Sequence, residues 1–230
     1  MHGTMKTVVY GATRNIYQNI VYCATSLAEN GNIDEVVLLI EDDIFPYELP
    51  IDYRVINVAD QPWFDRNHPN AKKRWTYMTM LKVVMTKLLS DLDRVLILDC
   101  DTMVEQDISA LWSLDLTGYY YAAVKQPNDG REWAFSHGAD YFNCGVLLCN
   151  LDALRDGKED ELIKALQTRE WDFLEQDAIN ELCRGRILEL PGRYNVSYYT
   201  VPDTELYIRH YAAEGGWWEY PEVRRYNVKL

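Results

Sequence analysis

Short apolar runs alternate with segments of helical periodicity along the first half of the chain. Four runs rich in β-branched and aliphatic residues predict buried strands over 6–10, 35–40, 53–58 and 94–98. Between these runs, apolar residues at helical spacing predict helices over 15–29 and 76–92. This alternation predicts an α/β fold with a mostly parallel, doubly wound sheet covered by helices.

The second half of the chain is less regular. The pattern predicts further strands over 119–124 and 145–149 and helices over 159–168 and 174–183. Gly185 is a typical stop for the last of these helices. From Pro191 onward, Tyr, Trp, Gly and Pro are frequent, which predicts ordered loop. Because the chain has no repeat and no Gly/Ser linker, we expect one domain over residues 1–230.

Two acids follow the apolar run 94–98, and they are the strongest local sign of chemistry. In extended chain, Asp99 and Asp101 would point to the same face while Cys100 points into the core. Ligands of parallel sheets bind at the carboxyl ends of the strands, and paired carboxylates there suit Mg²⁺ or Mn²⁺. A plain acidic turn explains the same residues equally well at this stage.

Charge and cysteine content exclude several classes of protein. The chain carries 23 Lys and Arg against 36 Asp and Glu, a net charge of -13, which argues against nucleic acid or an anionic membrane as partner. A phosphate-bearing ligand stays open, because a bound cation can reverse the local sign. The five cysteines form no CxxC pair, and the sequence pattern predicts neither a membrane span nor a signal peptide. We therefore expect a cytoplasmic protein without stable membrane insertion.

The segment Asp99–Thr102 fits two enzyme classes. An apolar strand followed by DxDT resembles the first motif of haloacid dehalogenase-like phosphatases, with Asp99 as nucleophile and Asp101 as its acid/base partner. That motif usually opens its domain, whereas three predicted strands precede it here. No acidic pair stands clearly at the end of a later apolar strand. The alternative is a metal that holds a sugar nucleotide.

Four later segments resemble retaining glycosyltransferase family 8, which includes glycogenin and bacterial galactosyl- and glucosyltransferases. Residues 140–150 (DYFNCGVLLCN) resemble its FNxGVxxxN segment, and residues 175–180 (EQDAIN) resemble its DQDxLN segment. Residues 190–195 (LPGRYN) and the pair His210 and Tyr211 resemble its LPxxYN and HYxGxxKPW segments. The resemblance implies a GT-A fold, with a Rossmann-like nucleotide-sugar half over about 6–110 and an acceptor half over about 111–230.

The resemblance also implies the site residues. It assigns the metal, Mn²⁺ or Mg²⁺, to Asp99, Asp101 and His210, and the imidazole favours Mn²⁺. Asp140, Glu175 and Gln176 are the implied catalytic residues around the donor sugar. The other implied donor-binding residues are Ala12, Thr13, Asn15, Lys82, Cys100 and Asn143.

The chain departs from the family pattern at several of these positions. Thr13 and Glu175 stand where the family usually has Asp, and Lys82 stands where it usually has Arg. The glycine and lysine of the late motif correspond to Ala213 and Gly216. Thr13 could equally be a helix cap, and Lys82 a solvated helix lysine.

The resulting hypothesis is a metal-dependent retaining glycosyltransferase. It would transfer a hexose from UDP-glucose or UDP-galactose to a hydroxyl of a carbohydrate or glycoconjugate acceptor. A haloacid dehalogenase-like phosphatase stays open as an alternative. So does a degenerate nucleotide-sugar binder without turnover, because the late lysine is missing.

Overall fold

The computed structural model describes residues 5–65, 67–71, 76–127 and 140–226. These residues contain nine strands, in chain order β1 (Thr7–Gly11), β2 (Glu35–Ile40), β3 (Tyr53–Asn57), β4 (Arg94–Leu98), β5 (Thr102–Val104), β6 (Tyr121–Lys125), β7 (Phe142–Asn150), β8 (Ile187–Leu190) and β9 (Ile208–His210). Seven of them form a central sheet in the order β3-β2-β1-β4-β7-β6-β8, and β5 and β9 form a second, two-stranded sheet. Antiparallel pairing in the central sheet is confined to β7 and its two neighbours, so the predicted mostly parallel sheet is confirmed.

Helices cover both faces of the central sheet. Those described are α1 (Tyr17–Asn30), α2 (Tyr77–Met80), α3 (Met85–Leu88), α4 (Leu151–Leu154), α5 (Lys158–Thr168), α6 (Leu174–Leu182) and α7 (Pro221–Arg224). Alternate residues of β1 enter two separate cores: Val8 and Tyr10 pack with α1, whereas Val9 packs with the residues of α5 and α6. Among the described residues, no helix is long and apolar enough to cross a bilayer.

The topology brings two loops together at one edge of the sheet. β1 lies between β2 and β4 and is parallel to both, so the order of the strands reverses next to β1. The carboxyl ends of β1 and β4 therefore open a crevice between them, where α/β proteins bind their ligands. The loop after β1 and the acids after β4 flank this crevice.

The predicted helix 76–92 is wrong in its continuity. The segment forms α2, a 3-10 turn over Leu81–Val83, and α3, with a break at Val84 (φ -122°, ψ 21°). An unbroken α-helix would direct the Thr86 amide to the carbonyl of Lys82. Here the Thr86 amide donates instead to Glu159 Oε2 at 2.8 Å, and its hydroxyl donates to Glu159 Oε1 at 2.5 Å. A buried acid from α5 has replaced the internal hydrogen bond.

The region after residue 182 contains more regular structure than the sequence pattern predicts. β8 was not predicted, and the segment after Pro191, predicted as loop, contains β9 and three short helical turns or helices. Strands of three or four residues are too short to show a clear period. β7 also begins at Phe142 rather than at residue 145, so Asn143 lies within a strand. The division of the chain into two halves near residue 110 stays a prediction.

Glu159 predicts a pH dependence of folding. Burial raises the pKa of Glu159, and the hydrogen bonds from Thr86 only partly oppose this. A raised pKa in the folded state stabilises it fully below the unfolded pKa, and this contribution is lost as pH rises through the folded pKa. Glu159→Gln, which cannot ionise, should therefore gain stability relative to the wild type as pH rises from about 4 to about 8.

Urea denaturation across this pH range measures the difference. Glu161→Gln, on the same helix but half-exposed, is the matched control. A difference for Glu159→Gln that stays constant or shrinks with rising pH would contradict the expected sign.

Candidate functional site

A cavity of about 470 Å³ opens beside the carboxyl end of β4. Its lining includes seven of the residues implied by the sequence: Lys82, Asp99, Asp101, Asn143, Glu175, Gln176 and His210. A narrower cleft of about 80 Å³ shares Lys82 and Asp99 with it and is also lined by Thr13 from the loop after β1. The two spaces together run from the first loop to the amino-terminal end of α6.

The three implied metal ligands come together in this cavity. One ligand atom from each of Asp99, Asp101 and His210 lies within 4.8 Å of the others. His210 Nε2 is 3.2 Å from Asp101 Oδ1 and 3.9 Å from Asp99 Oδ2. The two-stranded sheet of β5 and β9 brings these side chains together. Thr102 of β5 pairs with His210 of β9, and the Tyr211 amide donates to the Asp101 carbonyl at 2.9 Å.

The backbone at the two acids differs from the prediction. β4 ends at Leu98, and Asp99 to Asp101 form a turn, closed by the Thr102 amide on the Asp99 carbonyl, rather than extended chain. Both carboxylates nevertheless face the cavity. Cys100 points to the core as expected, and its thiol lies 3.3 Å from the carbonyl of Gly11. Its side chain therefore does not face the cavity.

The donor set fits a divalent cation. Asp101 Oδ1 is buried and no hydrogen bond to it is found among the described residues, but its charged neighbour is His210 Nε2 at 3.2 Å, so a cation can bind between them when Nε2 is unprotonated. Burial opposes charge on both Asp101 and His210, but their proximity wins: the pKa of Asp101 is lowered and the pKa of His210 is raised. Two carboxylates and an imidazole at this spacing could hold a divalent metal ion.

Gly145 makes room for the imidazole. A Cβ on this residue would lie 2.1 Å from Cε1 and 2.6 Å from Nδ1 of His210. No side chain tolerates contacts of this kind, so a residue without Cβ is required in β7 opposite His210. The glycine of the segment FNCGV therefore leaves the space that the imidazole of His210, much later in the chain, occupies.

Lys82 is a buried cation between two acids. Its ammonium lies 2.7 Å from Asp99 Oδ1 and 3.2 Å from Glu175 Oε1, and it donates to the Cys144 carbonyl at 3.0 Å. Burial alone would lower the pKa of Lys82, but the two carboxylates raise it well above its ordinary value. Burial raises the pKa of Glu175, with Lys82 opposing. Lys82 is therefore not a solvated helix lysine.

Gln176 is held in one orientation by the backbone. Its Oε1 accepts from the Cys144 amide at 2.9 Å, and its Nε2 donates to the Tyr141 hydroxyl at 3.0 Å. That hydroxyl donates in turn to Asp177 Oδ1 at 2.6 Å. Because a backbone amide can only donate, the oxygen and nitrogen of the Gln176 side chain are assigned without ambiguity.

Of the remaining implied residues, Thr13 lines the narrow cleft, whereas Ala12, Asn15 and Asp140 line neither space. The Ala12 amide donates to the Leu39 carbonyl, and the exposed Thr13 hydroxyl donates to Asn15 Oδ1 at 2.7 Å. Thr13 makes no capping hydrogen bond to the helical turn that follows it. Asp140 is outside the cavity lining, with its side chain 63% exposed and 3.3 Å from Lys125 Nζ. Its contact with a donor sugar stays a prediction.

The described part of the late segment, up to residue 226, brings no lysine or arginine into the cavity lining. Ala213 lines the cavity and keeps the left-handed backbone (φ 61°) that a glycine would adopt readily. Arg224 pairs with Glu219, and Arg225 pairs with Glu105. Among the described residues that line the cavity, Lys82 is the one lysine or arginine.

The polar residues of the site that were not predicted include Asn195 and Gln126. Asn195 is fully buried and lies 2.9 Å from His210 Nδ1, and Gln126 accepts from Asn143 Nδ2 at 2.7 Å. Asn195 falls inside the segment LPGRYN, which was a signal of family but carried no assigned role. Nothing in the local sequence around Gln126 distinguishes it from an ordinary polar residue after a strand.

Removal of the Lys82 charge should destabilise the fold. Lys82→Met would leave Asp99 and Glu175 as neighbouring acids without a counter-charge, and breaking a buried ion pair costs about 3–5 kcal/mol. Lys87→Met removes an exposed partner of Asp160 and should cost less than about 1 kcal/mol. Urea denaturation of both variants measures the difference. Equal losses would show that the buried cluster contributes no more than a surface pair.

The chain was compared with known protein families, proteins and solved structures. The model of glycosyl transferase family 8 matches residues 9–213. A lipopolysaccharide 1,2-glucosyltransferase of Escherichia coli (strain K12) is 29% identical over 184 residues, which covers 68% of this chain and 54% of that protein. A putative glycosyltransferase of Haemophilus influenzae (strain ATCC 51907 / DSM 11121 / KW20 / Rd) is 26% identical over 152 residues, 61% of this chain and 44% of that protein. The chain thus spans about half the length of these curated relatives.

Solved structures show the same fold. The galactosyltransferase LgtC, in complex with donor and acceptor sugar analogs, superposes with a TM-score of 0.67 at 20% identity and covers 97% of both chains. The bifunctional glycosyltransferase WbbM gives a TM-score of 0.73 at 18% identity, covering 93% of this chain and 46% of that one. The fold is GT-A, and the family match favours a sugar-nucleotide site over the phosphatase alternative. Since the family model matches most of its length, the chain belongs to glycosyl transferase family 8.

Proposed function

We propose that this protein is a metal-dependent retaining glycosyltransferase. It transfers a hexose from a nucleotide sugar, UDP-glucose or UDP-galactose, to a hydroxyl of a carbohydrate or glycoconjugate acceptor. The observation that carries the proposal is the cluster of Asp99, Asp101 and His210 in a cavity beside the carboxyl end of β4. Family membership and the similarity to transferases support the same conclusion.

Asp99, Asp101 and His210 Nε2 would hold a divalent cation, with Mn²⁺ favoured over Mg²⁺ by the imidazole. When bound, such a cation supplies Lewis-acid stabilisation of the negative charge on the departing nucleoside diphosphate. Lys82 adds a fixed positive charge beside Asp99. In a protein of net charge -13, these groups make a local site for a diphosphate.

The donor would lie along the two connected spaces. The base and ribose would lie near Thr13, which lines the narrow cleft, and near its hydrogen-bond partner Asn15. The hexose would lie in the larger cavity against Asn143, Glu175 and Gln176. Asp140 would reach the sugar from the rim. The Glu175 carboxylate is buried at the cavity wall, where it can accept a hydrogen bond from a hydroxyl of the sugar.

Retention without an enzymic nucleophile favours attack by the acceptor on the same face as the leaving group. Gln176 carries an amide, a weak nucleophile, and its oxygen already accepts from the Cys144 amide. The bond from the acceptor oxygen to the anomeric carbon forms as the bond from that carbon to the phosphate oxygen breaks. The acceptor proton passes to the departing phosphate oxygen, so no protein group has to be alkylated.

A panel of nucleotide sugars tests the proposal, read by thermal shift and by nucleotide release. With Mn²⁺ present, a uridine nucleotide held at about a hundred times its Kd should stabilise the fold by about 2.7 kcal/mol. Release of UDP on addition of a sugar acceptor shows turnover. Stabilisation without release would instead support the degenerate binder, and no uridine-dependent shift would contradict the proposal.

A further inference from the structure

A chain of buried hydrogen bonds connects the backbone of β7 to the imidazole of His210. The Gly145 amide donates to Asn143 Oδ1 at 2.9 Å, and Asn195 Nδ2 donates to the same oxygen at 2.8 Å. Asn195 Oδ1 then lies 2.9 Å from His210 Nδ1. Asn143, Asn195 and His210 are 6%, 0% and 3% exposed, so water does not compete for these partners.

The chain has a direction that its first member determines. A backbone amide can only donate, so the Asn143 atom opposite the Gly145 amide must be the oxygen. The Asn195 atom that meets this oxygen must then be the NH₂ group, and the other end of the Asn195 amide must be its oxygen. A carbonyl oxygen only accepts, so the imidazole must donate from Nδ1.

The rest of the network agrees with this direction. If Asn143 Oδ1 is the acceptor, Asn143 Nδ2 must find an acceptor of its own, and it donates to Gln126 Oε1 at 2.7 Å. Gln126 Oε1 also faces Gln176 Nε2, whose identity follows from the Cys144 amide on the other side of that side chain. Two backbone amides of β7 therefore orient the same network from two ends.

We propose that Asn195 and Asn143 are positioning residues that hold neutral His210 as the Nδ1–H tautomer. The lone pair of the imidazole is then on Nε2, the nitrogen that faces Asp101 and Asp99 across the cavity. The opposite tautomer would place a proton between Nε2 and the two carboxylates and would block a cation there. This role rests on the proposed function for the part that concerns the cation, whereas the tautomer itself does not.

Nuclear magnetic resonance of the metal-free wild type tests the tautomer. Long-range proton–nitrogen correlations of protein labelled with ¹⁵N-histidine distinguish the two neutral tautomers, and a His210→Gln spectrum assigns the signal. At a pH where the imidazole is neutral, we expect protonated Nδ1 and bare Nε2. A protonated Nε2 in the wild type would overturn the proposal, and this experiment needs no variant to fold.

Three variants test the relay, the hydrogen-bonded chain from Asn143 through Asn195 to His210. Asn195→Leu removes both ends of the link and should lose the fixed tautomer, with Mn²⁺ affinity reduced on the order of 10- to 100-fold. Asn195→Asp keeps an acceptor opposite Nδ1 and should keep the tautomer. Asn70→Leu removes a buried asparagine that bonds the backbone of Leu166, Arg169 and Trp171, so it controls for lost stability alone.

The outcomes test the positioning of His210 and the proposed metal function separately. If Asn195→Leu keeps both the Nδ1–H tautomer and the wild-type Mn²⁺ affinity, or if Asn70→Leu changes the tautomer as much, the relay is wrong. If the wild type has the expected tautomer but binds no Mn²⁺, the relay stands and the proposed metal function fails.

Discussion

Replacement of Asp101 by asparagine should abolish metal-dependent binding of the nucleotide sugar. Asp101 Oδ1 is buried 3.2 Å from His210 Nε2, and a cation can bind between the two atoms when Nε2 is unprotonated. An asparagine there is nearly the same shape but removes one negative charge. We expect turnover to fall on the order of 10³-fold, equivalent to several kcal/mol of lost stabilisation of the leaving diphosphate.

Thermal shift and UDP release with and without Mn²⁺ measure this loss. Asp115→Asn is the matched control, since Asp115 is an exposed acid that accepts from the Thr117 amide and asparagine can do the same. The control should retain the metal-dependent shift. If Asp101→Asn retained it as well, the assignment of the metal to this cluster would be wrong.

Addition of one methyl group at Gly145 should have the second largest effect. A Cβ at this position would lie 2.1 Å from Cε1 of His210, so the imidazole must shift from its present position beside the carboxylates. Overpacking of this kind costs about 1–3 kcal/mol of folding stability. Displacement of a metal ligand by about 1 Å costs turnover on the order of 10²-fold.

Gly215→Ala is the matched control for Gly145→Ala. No atom lies within 4 Å of a Cβ at Gly215, and its backbone is outside the left-handed region. Urea denaturation and Mn²⁺ titration of both variants measure the effects on stability and metal affinity. A Gly145→Ala protein with wild-type Mn²⁺ affinity would show that the imidazole is not a ligand.

The sequence predicts the fold best where one local pattern decides the structure. β2 and β4 have the predicted bounds, because each is a continuous apolar run buried on both faces of the sheet. The predicted helix 76–92 is interrupted because Glu159, which is far away in the sequence, binds the amide that would continue it. The pairing of β5 with β9 is likewise invisible, because neither strand is long enough to show a period.

The candidate site was predictable to the extent that motifs represent it. The segment Asp99–Thr102 and the resemblance to the family predict Asp99, Asp101 and His210 as metal ligands, and the structure brings these three side chains together. The reason for their meeting is a pairing between distant strands, which no segment contains. The glycine of FNCGV and the asparagine of LPGRYN belong to motifs, but their contacts with His210 exist only in the fold. The donor and acceptor of each side-chain hydrogen bond are determined by the backbone amides of Gly145 and Cys144, so the motifs alone do not predict them.

Anomalous scattering from manganese tests the central claim most directly. Crystals grown with MnCl₂ and UDP should show one strong anomalous peak bound by the carboxylates of Asp99 and Asp101 and by Nε2 of His210, with the diphosphate of UDP on its open side. A manganese peak elsewhere, or UDP bound without any peak between these three side chains, would contradict the account.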